Sequence, residues 1–310
     1  MTRRMVQRGV FLLLAAALLT GAARVPAHTA EPSGSADTVY VYDGYAAKTD
    51  AAFDAASLDR AAYRFQHLYD LYFTGRTVYL AVVPDKALFT VPPEGYTPAG
   101  AAETADYLRG ALDFLTPVDI AAGLTLADYY RTDPHWRQER LRPAADALLT
   151  AMGAPVSGTR DETLCTLEGD FHGSYWGKTE EPLEPDTLAY LTSPVLEGCT
   201  VHYYETDTDG GVYDFAAAQD APYDLFLSGS RSLLRIDSPQ ALSDRTLVVF
   251  RDSFGSSLIP LLAESYRTVY AVDIRYLSSD LLGRFVDFPA DADVLLLYST
   301  TVLHNSITLK

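Results

Sequence analysis

The sequence predicts an α/β protein built on a central, mostly parallel sheet, and three observations support that fold class. Apolar strand-like runs alternate with helical segments over residues 246–298, and short connections between such elements imply right-handed crossovers and parallel strands. Residues 77–83 form an unbroken apolar run before Pro84, as expected of a strand buried on both faces. Hydrophobic residues make up 48% of the chain, which is enough to build a core.

The individual elements follow from local periodicity. Residues 38–43 alternate as a strand, and apolar residues at helical spacing predict helices over 51–72, 101–115 and 135–152, the last interrupted near Pro143. The segment 156–221 is rich in Gly, Thr, Asp and aromatic residues, which predicts an insertion of loops and antiparallel strands with a hairpin at 201–204 and 212–215. The last third predicts strands at 246–250, 268–272 and 294–298 and helices at 254–266 and 278–285.

The N-terminus has the layout of a secretory signal peptide. Arg3, Arg4 and Arg8 precede an apolar stretch at 10–19, and small residues suited to cleavage follow. We therefore expect a signal peptide over residues 1–27, a flexible tether over 28–37 and a single domain over 38–310. An uncleaved N-terminal anchor is the alternative, because the apolar stretch is short for a membrane span. Either arrangement predicts a secreted or cell-envelope protein.

The charge balance limits the partners. The chain carries 24 basic and 41 acidic residues, a net charge of −17, and removing residues 1–27 leaves 20 basic residues and a net charge of −21. Such a surface repels nucleic acid and anionic lipid, whereas a neutral sugar or a small ester is compatible with it. The two cysteines, Cys165 and Cys199, either close a disulfide, which we favour in an exported protein, or are two small buried side chains.

Two short segments carry residues suited to acyl transfer. Ser253 follows the strand predicted at 246–250 and precedes a helix, so helix N–H groups could stabilise an oxyanion beside it. A serine hydroxyl needs a base within hydrogen-bond reach, and His135 is a candidate base that Asp133 could orient. Both segments also allow a purely structural interpretation, because Asp252 and Asp133 are good helix N-caps and Pro134 suits the first helical position.

The combination of the two segments resembles a known family. Residues 129–136 (Tyr-Tyr-Arg-Thr-Asp-Pro-His-Trp) and 252–254 (Asp-Ser-Phe) are similar to motifs of the DHHW family and of the related AlgX/AlgJ-type alginate O-acetyltransferases. Weaker similarities lie at 83–86, 171–174 and 272–276. The resemblance implies an SGNH-hydrolase-like three-layer fold in which Ser253 is the nucleophile, His135 the base and Asp133 its orienting carboxylate.

The resemblance also implies the rest of the site. The backbone N–H groups of Ser253 and Gly173 are the oxyanion candidates. The asparagine usual after a later strand is not obvious here, and Asn305, Thr300 or Thr301 is the expected substitute. Trp136, Arg275 and Tyr276 are candidate substrate contacts. Two departures stand out: Pro134 lies between acid and base, and Arg251 replaces the glycine that precedes Asp-Ser in many SGNH proteins.

The expected activity is O-acetyl transfer or ester hydrolysis on a cell-envelope or secreted polysaccharide, with an MBOAT-type membrane acyltransferase as a partner if the reaction is transfer. The alternative is a non-catalytic polysaccharide-binding or envelope-assembly protein on the same fold, with Trp136 or Trp176 as a stacking face. No metal is expected, because the acidic turn with Glu205, Asp207 and Asp209 offers fewer oxygen ligands than calcium requires. No cofactor is expected, because the sequence has no P-loop, dinucleotide glycine fingerprint or zinc-spaced Cys/His set.

Overall fold

A computed structural model describes residues 38–310. The predicted signal peptide at 1–27 and the whole of the predicted tether at 28–37 lie outside the described residues. Within residues 38–310 there is no helix of the length and apolar character needed to cross a membrane.

The strands confirm the predicted α/β class. An eight-stranded sheet has the order β4-β3-β12-β10-β11-β9-β7-β8, and its first five strands run parallel whereas the last three pair antiparallel. These strands are β3 Val78–Val83, β4 Leu115–Pro117, β7 Thr200–Tyr203, β8 Thr208–Gly210, β9 Leu233–Asp237, β10 Thr246–Arg251, β11 Thr268–Val272 and β12 Asp293–Ser299. Two small antiparallel sheets pair β1 Val39–Tyr42 with β2 Tyr45–Lys48, and β5 Thr163–Thr166 with β6 Ala189–Thr192.

Helices cover both faces of the central sheet and make three layers. The helices are α1 Ala55–Tyr72, α2 Ala101–Ala111, α3 Arg142–Ala151, α4 Pro194–Glu197, α5 Ala217–Asp220, α6 Gly255–Ala263 and α7 Thr300–Leu303. Alternate residues of β10 point to opposite layers: Val248 and Phe250 join the core formed with α1 and α2, whereas Leu247 and Val249 join the core formed with α3 and α6. The sheet is therefore buried on both sides, as its apolar strands predict.

The helix predicted from residue 135 begins later, at Arg142. Residues 129–136 instead form a tight loop in which Tyr129 and Trp136 make an antiparallel bridge and the Tyr130 N–H donates to the His135 carbonyl at 3.1 Å. A short 3₁₀ turn, Gln138–Arg140, follows before α3. The helix predicted at 278–285 is a 3₁₀ helix over Ser279–Arg284 and not an α-helix. In the hairpin predicted after 201–204, the second strand is β8 rather than 212–215.

The two cysteines remain free thiols, so the favoured disulfide is wrong. Cys165 lies on β5, whereas Cys199 is buried at the start of β7, where its thiol donates to the Val195 carbonyl at 3.3 Å. The second interpretation, small side chains that fill space, describes Cys199.

The carboxyl ends of β3, β12, β10 and β11 lie side by side at one rim of the sheet, because these strands are adjacent and parallel. The residues that follow them include Lys86, Thr300, Ser253 and Asp273. The segments 251–254, 273–276 and 299–305 therefore meet at this rim, and the residues after β3 add a fourth contribution.

Candidate active site

The turn between β10 and α6 presents Ser253. The fully buried Asp252 carboxylate holds this turn: Oδ1 accepts the Phe254 N–H at 3.0 Å, and Oδ2 accepts the Ser299 N–H at 2.7 Å. Gly255 allows the helix to start directly above the strand end, because a Cβ there would lie 2.8 Å from the Arg251 Cβ. Asp252 therefore ties the serine turn to the end of β12, and Ser253 is left partly exposed with no acceptor for its N–H among the described residues.

Arg251 points away from this turn into the core. Its guanidinium is fully buried and donates to the Ser256 hydroxyl at 2.9 Å and to the Gly229 carbonyl at 3.3 Å. Burial lowers the pKa of the Arg251 guanidinium, and the nearby carboxylate of Asp273 opposes that effect. The replacement of the usual glycine is therefore accommodated beneath α6, and the Arg251 side chain leaves the surface around Ser253 open.

The structure brings His135 and Asp133 to Ser253 across 118 residues of sequence. The His135 Nε2 lies 2.8 Å from the Ser253 Oγ, and the His135 Nδ1 lies 2.5 Å from the Asp133 Oδ1. A carboxylate only accepts hydrogen bonds, so the imidazole proton belongs on Nδ1 and Nε2 is free to accept from the serine hydroxyl. This is the arrangement in which a histidine can remove the hydroxyl proton.

Asp133 is buried and firmly bound. Its Oδ1 also accepts the His135 N–H at 3.1 Å, and its Oδ2 accepts the Ser174 N–H at 2.9 Å. Burial favours the neutral acid, but the charge and hydrogen bonds of His135, together with the Ser174 N–H, outweigh it and lower the pKa of Asp133 to about 2. Asp133 is thus ionised at neutral pH beside the imidazole.

Aromatic side chains fix the imidazole plane. The Tyr223 ring stacks on His135 with 4.0 Å between centroids and 14° between planes, and its hydroxyl lies 3.0 Å from the Ser257 hydroxyl. Phe254 packs against His135 at 4.8 Å between centroids. Because α6 begins right after Phe254, the helix that carries the serine also sets the orientation of the base.

Trp136 binds the loop to the same helix. Its Nε1 donates to the Phe254 carbonyl and to the Ser257 hydroxyl, both at 3.0 Å, and the side chain is fully buried. The expectation that Trp136 contacts substrate or offers a stacking face is therefore wrong, because no face of the indole reaches solvent. Trp176 is 38% exposed and stacks on His172, with 4.1 Å between ring centroids.

Gly173 lies beside the acid instead of offering a donor. Its N–H donates to the Thr132 hydroxyl at 2.9 Å, so the expected oxyanion role is not available to that N–H. A Cβ at this position would lie 2.3 Å from the Asp133 Cβ, which explains the glycine. The next residue, Ser174, supplies the N–H that Asp133 accepts.

The other predicted candidates lie elsewhere on the rim. The Asn305 amide donates to the carbonyls of Asp50 and Thr301 at 2.9 and 3.0 Å, which occupies both of its N–H groups. The Thr300 hydroxyl accepts from the Asp85 N–H at 3.1 Å and is fully buried, and the Thr301 hydroxyl donates to the Asp85 carboxylate at 3.4 Å. None of the three therefore presents a free, accessible donor in place of an oxyanion asparagine.

Arg275 and Tyr276 follow β11. The Arg275 guanidinium forms a bidentate pair with the buried carboxylate of Asp273, with contacts of 2.9 and 2.6 Å, which raises the pKa of Arg275 even though burial works in the opposite direction. Tyr276 is 54% exposed and lies under the Arg275 guanidinium, 5.5 Å from it. Of this pair, Tyr276 is the side chain that is open to contact with a bound molecule.

Sequence reasoning missed three buried residues near the His135 loop: Tyr223, Lys86 and Asp186. Tyr223 stacks on the imidazole, the Lys86 ammonium donates to the Asp133 carbonyl at 2.7 Å, and the Asp186 carboxylate accepts the Thr132 N–H at 2.7 Å. Lys86 belongs to the Val-Pro-Asp-Lys segment at 83–86, which resembles the family motif but gave no indication of what the lysine does. Tyr223 and Asp186 lie in irregular segments, where no periodicity or motif singles them out.

Comparison with known proteins places the fold. No model of a known protein family matches the sequence, and no curated protein matches it at a significant level. The structure is similar to a DHHW family protein from Eubacterium siraeum DSM 15702, with 22% identity, a TM-score of 0.67 and coverage of 88% of this chain and 96% of that one. It is also similar to Bacillus cereus PatB1, with 19% identity, a TM-score of 0.65 and coverage of 86% and 97%.

A third similar structure is the O-acetyltransferase domain of Pseudomonas putida AlgJ, with 16% identity, a TM-score of 0.50 and coverage of 86% of this chain and 92% of that one. The chain therefore has an SGNH-hydrolase-like fold. The resemblance to the DHHW and AlgJ-type proteins that the motifs predicted is confirmed at the level of the fold.

Proposed function

We propose that this protein is an exported, serine-dependent acyl-transfer enzyme that adds or removes O-acetyl groups on a cell-envelope or secreted polysaccharide. The observation that carries the proposal is the continuous chain of hydrogen bonds from the Ser253 hydroxyl through His135 to Asp133. The geometry meets the requirement for an activated nucleophile, in which the serine, the base and the group that orients the base are mutually within hydrogen-bond reach.

In the proposed reaction, the Ser253 Oγ attacks the carbonyl carbon of an acetyl ester and its proton passes to the His135 Nε2. Asp133 stabilises the imidazolium that forms. The Ser253 N–H, which has no acceptor among the described residues, is placed to stabilise the negative oxygen. The C–O bond to the leaving alcohol then breaks as His135 returns the proton to it, and an acetyl-serine remains.

The second half of the reaction regenerates the serine. A sugar hydroxyl or a water molecule gives its proton to His135 and attacks the acetyl carbonyl, and His135 then protonates the departing Ser253 oxygen. A sugar acceptor yields an O-acetylated sugar, and water yields acetate. The same three side chains serve both outcomes, because only the binding of the acceptor and the exclusion of water differ.

The substrate class rests on charge and on similarity. A net charge near −21 for the chain without residues 1–27 disfavours polyanionic nucleic acid and is compatible with sugars. The name of the AlgJ structure describes an O-acetyltransferase domain, and the fold shared with it supports acyl transfer. If the reaction is transfer, a membrane acyltransferase of the MBOAT type is the expected acetyl donor. The predicted signal peptide supports export.

The test measures both covalent labelling of the serine and hydrolysis of an ester. The purified protein is incubated with a fluorophosphonate probe and, separately, with p-nitrophenyl acetate, beside Ser253→Ala and His135→Ala. Ser230→Ala and His67→Ala change residues of the same types at exposed or half-exposed positions and serve as matched controls. We expect labelling and ester turnover in the wild type and in both controls, and loss of both in the two site variants.

Equal labelling and turnover in all five proteins would reject the proposal. A folded wild type that neither labels nor turns over the ester, while it binds oligosaccharides in calorimetry, would favour the alternative of a non-catalytic polysaccharide-binding protein.

A further inference from the structure

We propose that Lys86 and Asp186 are positioning residues that hold the backbone of residues 130–133 from two sides and thereby set the geometry of Asp133 and His135 against Ser253. The inference rests on the proposed function, since it assigns two further residues to the same reaction. The side chains of Lys86 and Asp186 contact neither Ser253 nor the His135 ring, so each acts through the 130–133 segment.

Lys86 holds the carbonyl side of the segment. The residue follows β3 and is 1% exposed, and its Nζ donates to the carbonyls of Asp133 at 2.7 Å, Tyr130 at 2.8 Å and Arg131 at 3.4 Å. An ammonium group has three donors and no acceptor, so these contacts account for all its hydrogen bonds. Its charge is directed at backbone carbonyls, since Lys86 forms no ion pair within residues 38–310.

Asp186 holds the amide side. Its Oδ1 accepts the Arg131 N–H at 2.7 Å, and its Oδ2 accepts both the Thr132 N–H at 2.7 Å and the Thr132 hydroxyl at 2.6 Å. Asp186 is itself fixed by a pair of backbone hydrogen bonds with Phe171, at 2.8 and 3.0 Å, and is 8% exposed. The carboxylate therefore meets the segment with little freedom of its own.

The two contacts explain why the segment is neither helix nor strand. Three carbonyls within residues 130–133 converge on a buried cation and two N–H groups converge on a buried anion, an arrangement that regular secondary structure would break. Each charged hydrogen bond of this kind is stronger than a neutral one. The same segment then accepts the Gly173 N–H on the Thr132 hydroxyl, which brings the Ser174 N–H to the Asp133 carboxylate. Lys86 and Asp186 thus fix both ends of the acid's environment.

Geometry of this kind has a measurable catalytic effect. Displacement of a catalytic group by about 1 Å costs on the order of 10²-fold in rate. We therefore expect Lys86→Met and Asp186→Asn each to lower kcat for p-nitrophenyl acetate by roughly 10²-fold while KM changes less than about threefold. The matched controls are Lys178→Met and Asp161→Asn, which make the same charge changes at exposed positions and should keep wild-type kinetics.

The kinetics per active site separate positioning from simple loss of stability. The fluorophosphonate probe counts the folded, active protein at the end of labelling. A variant that is only less stable has fewer labelled sites, but its kcat per labelled site stays at the wild-type value. We therefore expect kcat per labelled Ser253 to fall in Lys86→Met and in Asp186→Asn while KM changes less than about threefold.

The outcomes separate the two proposals. If Ser253→Ala is as active as the wild type, the proposed function fails. If Ser253→Ala is inactive while Lys86→Met and Asp186→Asn stay within threefold of wild type, or lose activity only in proportion to the loss of labelled sites, the positioning proposal fails and the function stands. If Lys86→Met does not fold, the nearly isosteric Asp186→Asn decides the matter by the same criteria. Lys86→Arg, which keeps charge and donors, should recover part of the lost kcat.

Discussion

Replacing Asp133 by asparagine removes one charge and leaves the size of the side chain unchanged. The wild-type carboxylate accepts on both sides: Oδ1 faces the His135 Nδ1 and N–H, and Oδ2 faces the Ser174 N–H. An asparagine has a single acceptor oxygen, so its amino group must face one of these donors. If it faces His135, it donates to Nδ1, the imidazole proton moves to Nε2, and the base can no longer accept from Ser253.

The magnitude follows from the ionisation of Asp133. Its pKa of about 2, against an ordinary value of 3.8, corresponds to roughly 2 kcal/mol in favour of the carboxylate. If an interaction of that size is lost in the transition state, the rate falls by roughly 30-fold, at about 1.4 kcal/mol per tenfold. If the wrong imidazole tautomer predominates as well, the loss approaches the ~10⁴-fold known for this substitution in serine proteases. We expect kcat of Asp133→Asn to fall by between about 30-fold and about 10⁴-fold.

The assay is hydrolysis of p-nitrophenyl acetate at pH 7, with circular dichroism and urea unfolding to establish that the variant is folded. Asp170→Asn makes the same change at an exposed position and should keep wild-type activity. Asp133→Asn with a kcat within about threefold of wild type, in a folded protein, would refute the reasoning, because the carboxylate would then contribute nothing to the reactive state of His135.

Three further predictions concern the frame around the site. Gly173→Ala should lower kcat by about 10²-fold, because its Cβ would displace Asp133, whereas Gly158→Ala, where the added methyl meets open space, should be neutral in the same ester assay. Trp136→Phe removes the buried indole N–H that the Phe254 carbonyl and the Ser257 hydroxyl both accept, and should lower the free energy of unfolding in urea by about 1–3 kcal/mol, with exposed Trp176→Phe as control. Burial lowers the pKa of His304 below 6.5, so the unfolded chain binds its proton first and the stability present above pH 6.5 is lost as pH falls. Urea midpoints at pH 7 and pH 5 should therefore differ less in His304→Asn than in the wild type, and an equal difference would contradict the assignment.

Most of the central sheet can be predicted from the sequence, because the patterns that mark its strands are local. Apolar runs of strand length alternate with helical segments from β10 to β12, and the structure places β11 at the residues predicted. The serine at the end of β10 is identifiable for the same reason: it combines a buried strand, a turn and a helix start within about ten residues. Such features depend on neighbours in sequence, so periodicity reveals them.

The surroundings of Asp133 were beyond local reasoning. An aspartate followed by proline has the same sequence signature whether it begins a helix or lies in the loop observed here. The difference is made by Lys86 and Asp186, which lie more than 40 residues away on either side and contact the backbone of the loop. Trp136 illustrates the same limit, because an indole next to a candidate base suits substrate stacking in the sequence, whereas in the structure α6 covers it.

The base of the proposed site is fully assembled, whereas few donors are free to stabilise an oxyanion. This shortage of donors predicts how fast the acetyl-serine forms and how fast water removes the acetyl group. Of the N–H groups that the sequence suggested as oxyanion donors, the Ser253 N–H alone lacks an acceptor within the described residues, since those of Gly173 and Asn305 are already engaged. Each oxyanion donor contributes on the order of 10²–10³ in kcat. An ester with a good leaving group should therefore acylate Ser253 readily, while water removes the acetyl group slowly.

We accordingly expect p-nitrophenyl acetate to give a burst of p-nitrophenolate close to one equivalent per protein, followed by a slow steady rate. Rapid-mixing absorbance measurements resolve the two phases, and Ser253→Ala should abolish the burst. Because an acceptor acts after acylation, an oligosaccharide that is a true acceptor should raise the steady rate without changing the burst amplitude, and mass spectrometry should detect the acetylated sugar. A linear progress curve with fast turnover and no burst would show that deacylation is not limiting, which would contradict the inference from a single free donor.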